Sequence, residues 1–310
     1  MSRYVGKRII SIFPLLLLVT FCAFFLINIR TSDPAEIALR INGVVPTEEM
    51  VQSTRTELGL DSPFLIRYKD WLVNSFQGEF GTSYVSRKPV KDEILQALPP
   101  TLKLAGVTLL IIIISSICLG ALCSVYENRW PDRIIRIIVF IFSAMPSFWI
   151  GPLLILLFSV YLGWFPTSGM GSSRSVVLPA VTLSLTFLST YVRLIRNNMI
   201  HNKKANFILY AKVRGLPKSL ITKQLFVNSI HSSLTAFGMS IPKLIAGTIV
   251  IENIFAWPGI GRLCVTAIFN SDSPVIQAYI FILAILFIVC NLIVDIVAML
   301  MDPRLRRRAV

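Results

Sequence analysis

Lys243 and Asp295 stand inside stretches that are otherwise apolar. A charge within a membrane is costly and faces a cavity or a partner. Lys243 lies midway along the apolar run 230–251. It reads either as part of a solute pathway or as a structural residue, paired with a carboxylate or snorkelling to water. Asp295 lies near the end of the run 275–301, one helical turn after Asn291, and reads as a structural cap or partner of a basic loop. The two histidines, His201 and His231, have no further His, Cys or carboxylate at ligand spacing, so no metal site is expected in the chain. Cys22, Cys118, Cys123 and Cys290 fall in apolar runs and are expected to be small core residues. Cys264 stands alone outside them, so no disulfide framework is expected. Gly81-Thr82-Ser83-Tyr84 slightly resembles a serine-nucleophile turn but lacks the second glycine and a histidine partner, and it reads as a loop. No H-E-x-x-H, G-x-S-x-G or paired intramembrane Asp is visible, so no catalytic residue is assigned. There is no G-x4-G-K-[ST] loop either; Gly6-Lys7 belongs to a basic flank.

The elements that must position these residues belong to a membrane. Hydrophobic residues make up 55% of the chain and charged residues 15%, too few charges to coat a soluble domain of this length. The net charge of +14 does not point to nucleic acid, because the basic residues collect in short segments beside apolar runs. A spanning helix needs about 20 apolar residues. Runs of that kind occur at 9–29, 101–125, 134–162, 176–194, 230–251 and 275–301, predicting an all-α protein with six transmembrane helices. The first run is too long for a signal peptide and no small-x-small site follows, so it reads as a retained anchor. Pro146 and Pro152 in the third run kink or loosen a helix, which suits a moving gate and is also ordinary membrane packing.

Charge sets the expected orientation. Arg3, Lys7 and Arg8, the loop with Arg129, Arg133 and Arg136, the segment 193–230, and the tail with Arg304, Arg306, Arg307 and Arg308 all fall on one side. Both termini of this multi-pass protein are therefore expected in the cytoplasm. The domain reading is an N-terminal tail and first span (1–29), an extracytoplasmic cap (30–100), a five-helix core (101–301) and a basic tail (302–310). The cap is expected to hold helices over Glu48–Leu58, capped by Thr47, and over Pro63–Phe76, with Leu65, Tyr68, Leu72 and Phe76 near one face. Within the core, the loop 199–229 looks structured. A short helix over Phe207–Arg214 ends at Gly215, where a left-handed residue is favoured, and Pro217 opens a second helix.

The pattern Ala211–x3–Gly215 resembles the coupling loop of ABC-importer permeases. LGLDSPFLIRYKDWL (58–72), FGTSYVSRKPV (80–90), ALPPTLKL (97–104), MPSFW (145–149), ENIFAWPGIGR (252–262) and MDPRLRR (301–307) resemble, in order, the B-type permease of dipeptide, oligopeptide and nickel ABC importers. ENIFAWPGIGR, AIFN (267–270) with PVIQ (274–277), and VCNLIVDI (289–296) look most like the nickel and metal–metallophore (opine) branch. The resemblance implies the type I importer fold, with the first span and outer cap preceding it. It implies a heterodimer with a second permease, two ATPase subunits using ATP and Mg, an extracytoplasmic binding protein and surrounding membrane lipid, with no cofactor bound by this chain. The implied function is ATP-driven alternating access for nickel or another transition metal, held as a metallophore chelate. The alternatives are a dipeptide or oligopeptide importer and, in another class, a gradient-driven secondary transporter. Leu209, Tyr210, Ala211, Arg214, Gly215 and Leu216 carry the implied ATPase coupling. Leu209-Tyr210-Ala211 departs from the family's acidic start, and His231-Ser232 replaces the usual Leu-Pro. Lys243, Met145 and Pro146 are the candidate translocation path.

Overall fold

The computed structural model describes residues 2–29, 33–41 and 43–301, with side chains from residue 14 onward except 231, 232, 235 and 298–301. The basic side chains of the N-terminus, Arg30, the His231 side chain and the arginines of the tail lie outside the described residues. The elements are helices throughout: α1 Ser2–Asn28, α2 Pro34–Ile41, α3 Glu48–Glu57, α4 Phe64–Gln77, α5 Val90–Val125, α6 Trp130–Ala144 and α7 Ser147–Leu154. A π-helical segment, Ile155–Tyr161, and a 3₁₀ turn, Ser173–Val176, lead to α8 Val177–Lys203, α9 Asn206–Val213, α10 Lys218–Gly238, α11 Ile241–Ile254, α12 Ile260–Phe269 and α13 Ser273–Met301.

Among the described residues, four helices are long and apolar enough to cross a membrane, and five if the bent pair α6–α7 with its π segment is one span. Among the described side chains, the apolar stretch of α1 is Pro14–Asn28. The third expected run is not straight, because its two halves meet at 106°. Met145 is extended (φ −82°, ψ 137°), as a residue before proline must be. Pro152 then sits inside α7 without an amide proton, and the helix widens into π geometry directly after it. The fifth run is interrupted as well, at Met239-Ser240 between α10 and α11.

The chain forms two compact units, residues 1–100 with 259–310 and residues 101–258. In the first unit the C-terminal half of α1 meets α4. Phe21, Phe24 and Phe25 contact Phe64 and Tyr68 edge-on or tilted, and Trp71 joins Phe24. Thr20 and Tyr68 share a 2.9 Å hydrogen bond, and Arg67 donates to Asn28 Oδ1 at 2.6 Å. The packing stripe of α4 is thus Phe64–Tyr68–Trp71–Ser75. Of the expected face, Leu65 points away from the core and Phe76 is half-exposed against Phe281. Thr47 does cap α3, its hydroxyl accepting from the Met50 amide at 3.4 Å.

A small hairpin over 81–90 closes the first unit. Asp272 is buried and holds it: Ser83 Oγ donates to Oδ2 at 2.5 Å, and the Tyr84 amide donates to Oδ1 at 3.1 Å. The Ser83 hydroxyl accepts from the Val85 and Ser86 amides, so it is a structural clasp, in keeping with the loop reading of 81–84. Burial first, and the Asp272 carboxylate second, push the Tyr84 phenol up to about 12.

The second unit is built around α8. Its core joins Leu104, Leu183, Tyr191, Ile195, Leu244, Ile251 and Trp257. Gly120 lets α5 approach α8 closely, since a Cβ there would stand 2.7 Å from Ile195 Cβ. The cysteine expectation holds only in part. Cys123 is buried, but Cys22 and Cys118 are exposed on their helices, because an apolar run that faces lipid has no inward side at every turn. Cys264, expected outside the apolar runs, is buried within α12, a helix the apolar-run reading did not foresee.

Candidate functional site

The loop between α8 and α10 is a rigid helical corner. α9 is only eight residues long, and its C-terminus is closed by Gly215 at φ +70°. The Leu216 amide donates to the Ala211 carbonyl at 3.1 Å, and the Gly215 amide to the Lys212 carbonyl at 3.0 Å. These bonds satisfy carbonyls that a free helix end leaves open. Pro217 then starts α10, its carbonyl accepting from Leu220 and Ile221.

The faces of α9 are divided. Ile208 and Ala211 are buried against the chain itself, whereas Leu209, Tyr210 and Val213 are 60, 68 and 77% exposed. Three large side chains, Leu209, Tyr210 and Val213, thus form an exposed, largely apolar patch on a short helix. Ala211 is small because it faces inward. Arg214 and Leu216 flank the corner, and an added Cβ at Gly215 would meet nothing within 4 Å, so the glycine is required by its backbone angle alone.

The corner is anchored on α8. Asn202 Nδ2 donates to Ser229 Oγ at 2.9 Å and Asn198 Nδ2 to Ser233 Oγ at 2.8 Å, a two-rung ladder at four-residue spacing between α8 and α10. Lys203 donates to the Ser124 carbonyl and lies 3.6 Å from Glu127. Arg196 grips the fully buried Asp132 with two 2.8 Å hydrogen bonds, and Arg136 adds a third contact at 3.2 Å. The sequence reading missed Asp132. Its one local signal is an acid in the first turn of a helix opened by Pro131.

The candidate path residues sit at the two helix interruptions. Met145 and Pro146 form the corner between α6 and α7. Lys243 lies in the first turn of α11, after the interruption at 239–240. Lys243 is exposed and makes no ion pair among the described residues. No hydrogen bond or ion pair among the described residues joins Lys243 to Met145 or Pro146. Broken backbone at membrane depth is tolerated where it is covered by protein or lines a watery cavity. Glu252, a second missed carboxylate, is fully buried at the far end of α11, where it accepts from Thr101 Oγ1 at 2.6 Å. Its signal was an acid ending an apolar run just before Trp257, and its partner lies 151 residues away. Among the described residues, no three His, Cys, Asp or Glu gather in a metal-binding group.

Two family profiles cover most of the chain: the binding-protein-dependent transport system inner membrane component over residues 116–307, and the N-terminal region of such membrane components over residues 1–105. The metal-staphylopine import system permease protein CntB of Staphylococcus aureus is 38% identical over 310 residues, covering 100% of both chains. The glutathione transport system permease protein GsiC of Escherichia coli K12 is 34% identical over 307 residues, 99% of each. Among solved structures, the inward-facing MetNI methionine ABC transporter matches with a TM-score of 0.57 at 16% identity, over 67% of this chain and 96% of that one. An amino acid ABC transporter matches with a TM-score of 0.51 at 15% identity, over 69% and 94%. The fold is thus that of ABC-importer permeases, as the motif order implied. The chain belongs to the binding-protein-dependent transport system inner membrane component family, the permeases of ABC importers.

Proposed function

We propose that this chain is one permease subunit of an ATP-driven importer for a transition metal, such as nickel, carried as a metallophore chelate. The observation that carries the cargo class is the end-to-end 38% identity to a permease named for metal-staphylopine import. In this reading the chain has six spans with both termini cytoplasmic and pairs with a second permease. An extracytoplasmic binding protein delivers cargo, and of the two ATPases one docks on α9 through Leu209, Tyr210 and Val213. ATP-driven closure moves α9. The anchored α8 and α10 carry that motion to the interruptions at 145–146 and 239–240.

Lys243 supports a chelate over a bare ion. At an effective dielectric constant of about 20, a doubly charged cation about 6 Å from the ammonium is repelled by roughly 5 kcal/mol. A chelate whose carboxylates offset the metal charge escapes that repulsion. A glutathione or peptide importer is the second reading, favoured by the 34% identity to GsiC.

The test is uptake by cells that depend on this chain, comparing labelled nickel with an opine metallophore, free labelled nickel and labelled glutathione. Uptake of the chelate alone is expected. Lys243→Glu and Lys243→Met are expected to lower it while membrane abundance stays unchanged. Glutathione uptake in place of chelate uptake would overturn the metal reading.

A further inference from the structure

We propose that the groove between α6 and α8 is a binding site for the phosphate headgroup of an anionic phospholipid. The groove encloses about 580 Å³ and is lined by Arg133, Arg136, Arg193 and Arg196, with Ile137 and Phe140 as its apolar wall. No carboxylate lines it. Asp132, beneath it, occupies Arg196 and Arg136. Arg133 and Arg193 are exposed and have no ion pair among the described residues, and Arg193 reaches only the Ser189 hydroxyl at 3.4 Å. Among the described residues the site therefore holds four guanidinium groups against the buried Asp132, with Glu127 acting on Arg196 from farther off, which leaves an excess of positive charge.

The order of residues along α6 selects the ligand. Arg133 and Arg136 come first, at the helix end beside the loop 126–129. Ile137 and Phe140 follow toward the middle of the span and are 57 and 63% exposed. A guanidinium binds a phosphate through paired N–H groups, and arginine pockets between spanning helices hold anionic headgroups. A phosphodiester at the arginines with its acyl chain along Ile137 and Phe140 satisfies both halves. A soluble anion would use only the first. The buried Asp132–Arg196 pair fixes one wall, so a bound lipid would brace α6 against α8 on the path from α9 to the corner at 145–146. The site rests on α6 and α8 lying in a bilayer and is independent of the cargo.

The experiment uses the whole importer complex, reconstituted in phosphatidylcholine vesicles with a trace of photoactivatable phosphatidylglycerol. Labelled peptides are mapped by mass spectrometry. Label is expected on 133–140 and 189–197 and should be displaced by unlabelled phosphatidylglycerol but not by phosphatidylcholine or inorganic phosphate. Arg133→Gln with Arg193→Gln is expected to weaken labelling there by about thirtyfold, the attraction of two arginines at a membrane surface. Lys218→Gln with Lys223→Gln, on exposed α10, should leave it unchanged. Equal displacement by phosphatidylcholine would overturn the proposal, as would displacement by inorganic phosphate or labelling indifferent to the arginine pair. So would cross-linking of Phe140→Cys to the second permease in the native membrane, which would give the groove a protein occupant.

Discussion

Gly215 isolates one physical cause, because its backbone angle of +70° is demanding while the space around it is open. Alanine there brings no clash, only the left-handed penalty of about 1–2 kcal/mol for an L-residue. Asparagine, which tolerates that region better, should cost less. The expected order for cargo-stimulated ATP hydrolysis in the assembled complex is Gly, then Asn, then Ala, with equal amounts of chain in the membrane. An alanine variant as well coupled as the parent would show that the corner of α9 tolerates distortion. The turn was legible beforehand because Gly215 and Pro217 act locally, within a few residues of the bonds they shape. Asp132 and Asp272 were not. What makes each of them matter is a partner far along the chain, Arg196 in one case and Ser83 in the other, and spacing does not reveal a partner brought near by folding.

The elements show the same division. Helices α3 and α9 and the long apolar helices α5, α8 and α13 follow from caps, breakers and run length, all properties of neighbouring residues. The 106° corner between α6 and α7 was legible only as a site of weakness. Proline removes a donor and excludes the helical conformation before it, but the angle is fixed by what the two halves pack against. The face of α4 was misjudged because both of its sides carry large apolar residues, and only the aromatic cluster on α1 decides that Phe64, Tyr68 and Trp71 turn inward. At this scale the hairpin 81–90 depends on Asp272. Replacing it with alanine leaves the Ser83 hydroxyl and the Tyr84 amide without their acceptor, a loss of about 1–3 kcal/mol. Amide hydrogen exchange in 81–90 should then quicken by about tenfold or more, with exchange in α8 unchanged. Unaltered exchange in the hairpin would remove Asp272 from its role as the clasp.

For the whole molecule, the alternation of basic and neutral segments predicts which side each loop faces. An impermeant thiol reagent applied to sealed cells should label Ser62→Cys in the turn before α4 and leave Lys204→Cys at the end of α8 unlabelled until the membrane is opened. Labelling of Lys204→Cys in sealed cells would reverse the orientation. The family and the fold were legible because the motif blocks recur in order along nearly the full chain. The cargo was not: among the described residues no three His, Cys, Asp or Glu gather to mark a metal.

The central claim is that an ATPase seats on the exposed side of α9, and a cross-link tests it most directly. Tyr210→Cys, in the complete complex with its native cysteines replaced, is treated with a short bis-maleimide in the presence and absence of ATP. The account predicts a covalent product of this chain with an ATPase subunit, its yield changing with nucleotide, and no such product from Ser62→Cys. Reaction of Tyr210→Cys with solvent-borne reagent alone, with no ATPase adduct in either nucleotide state, would contradict it.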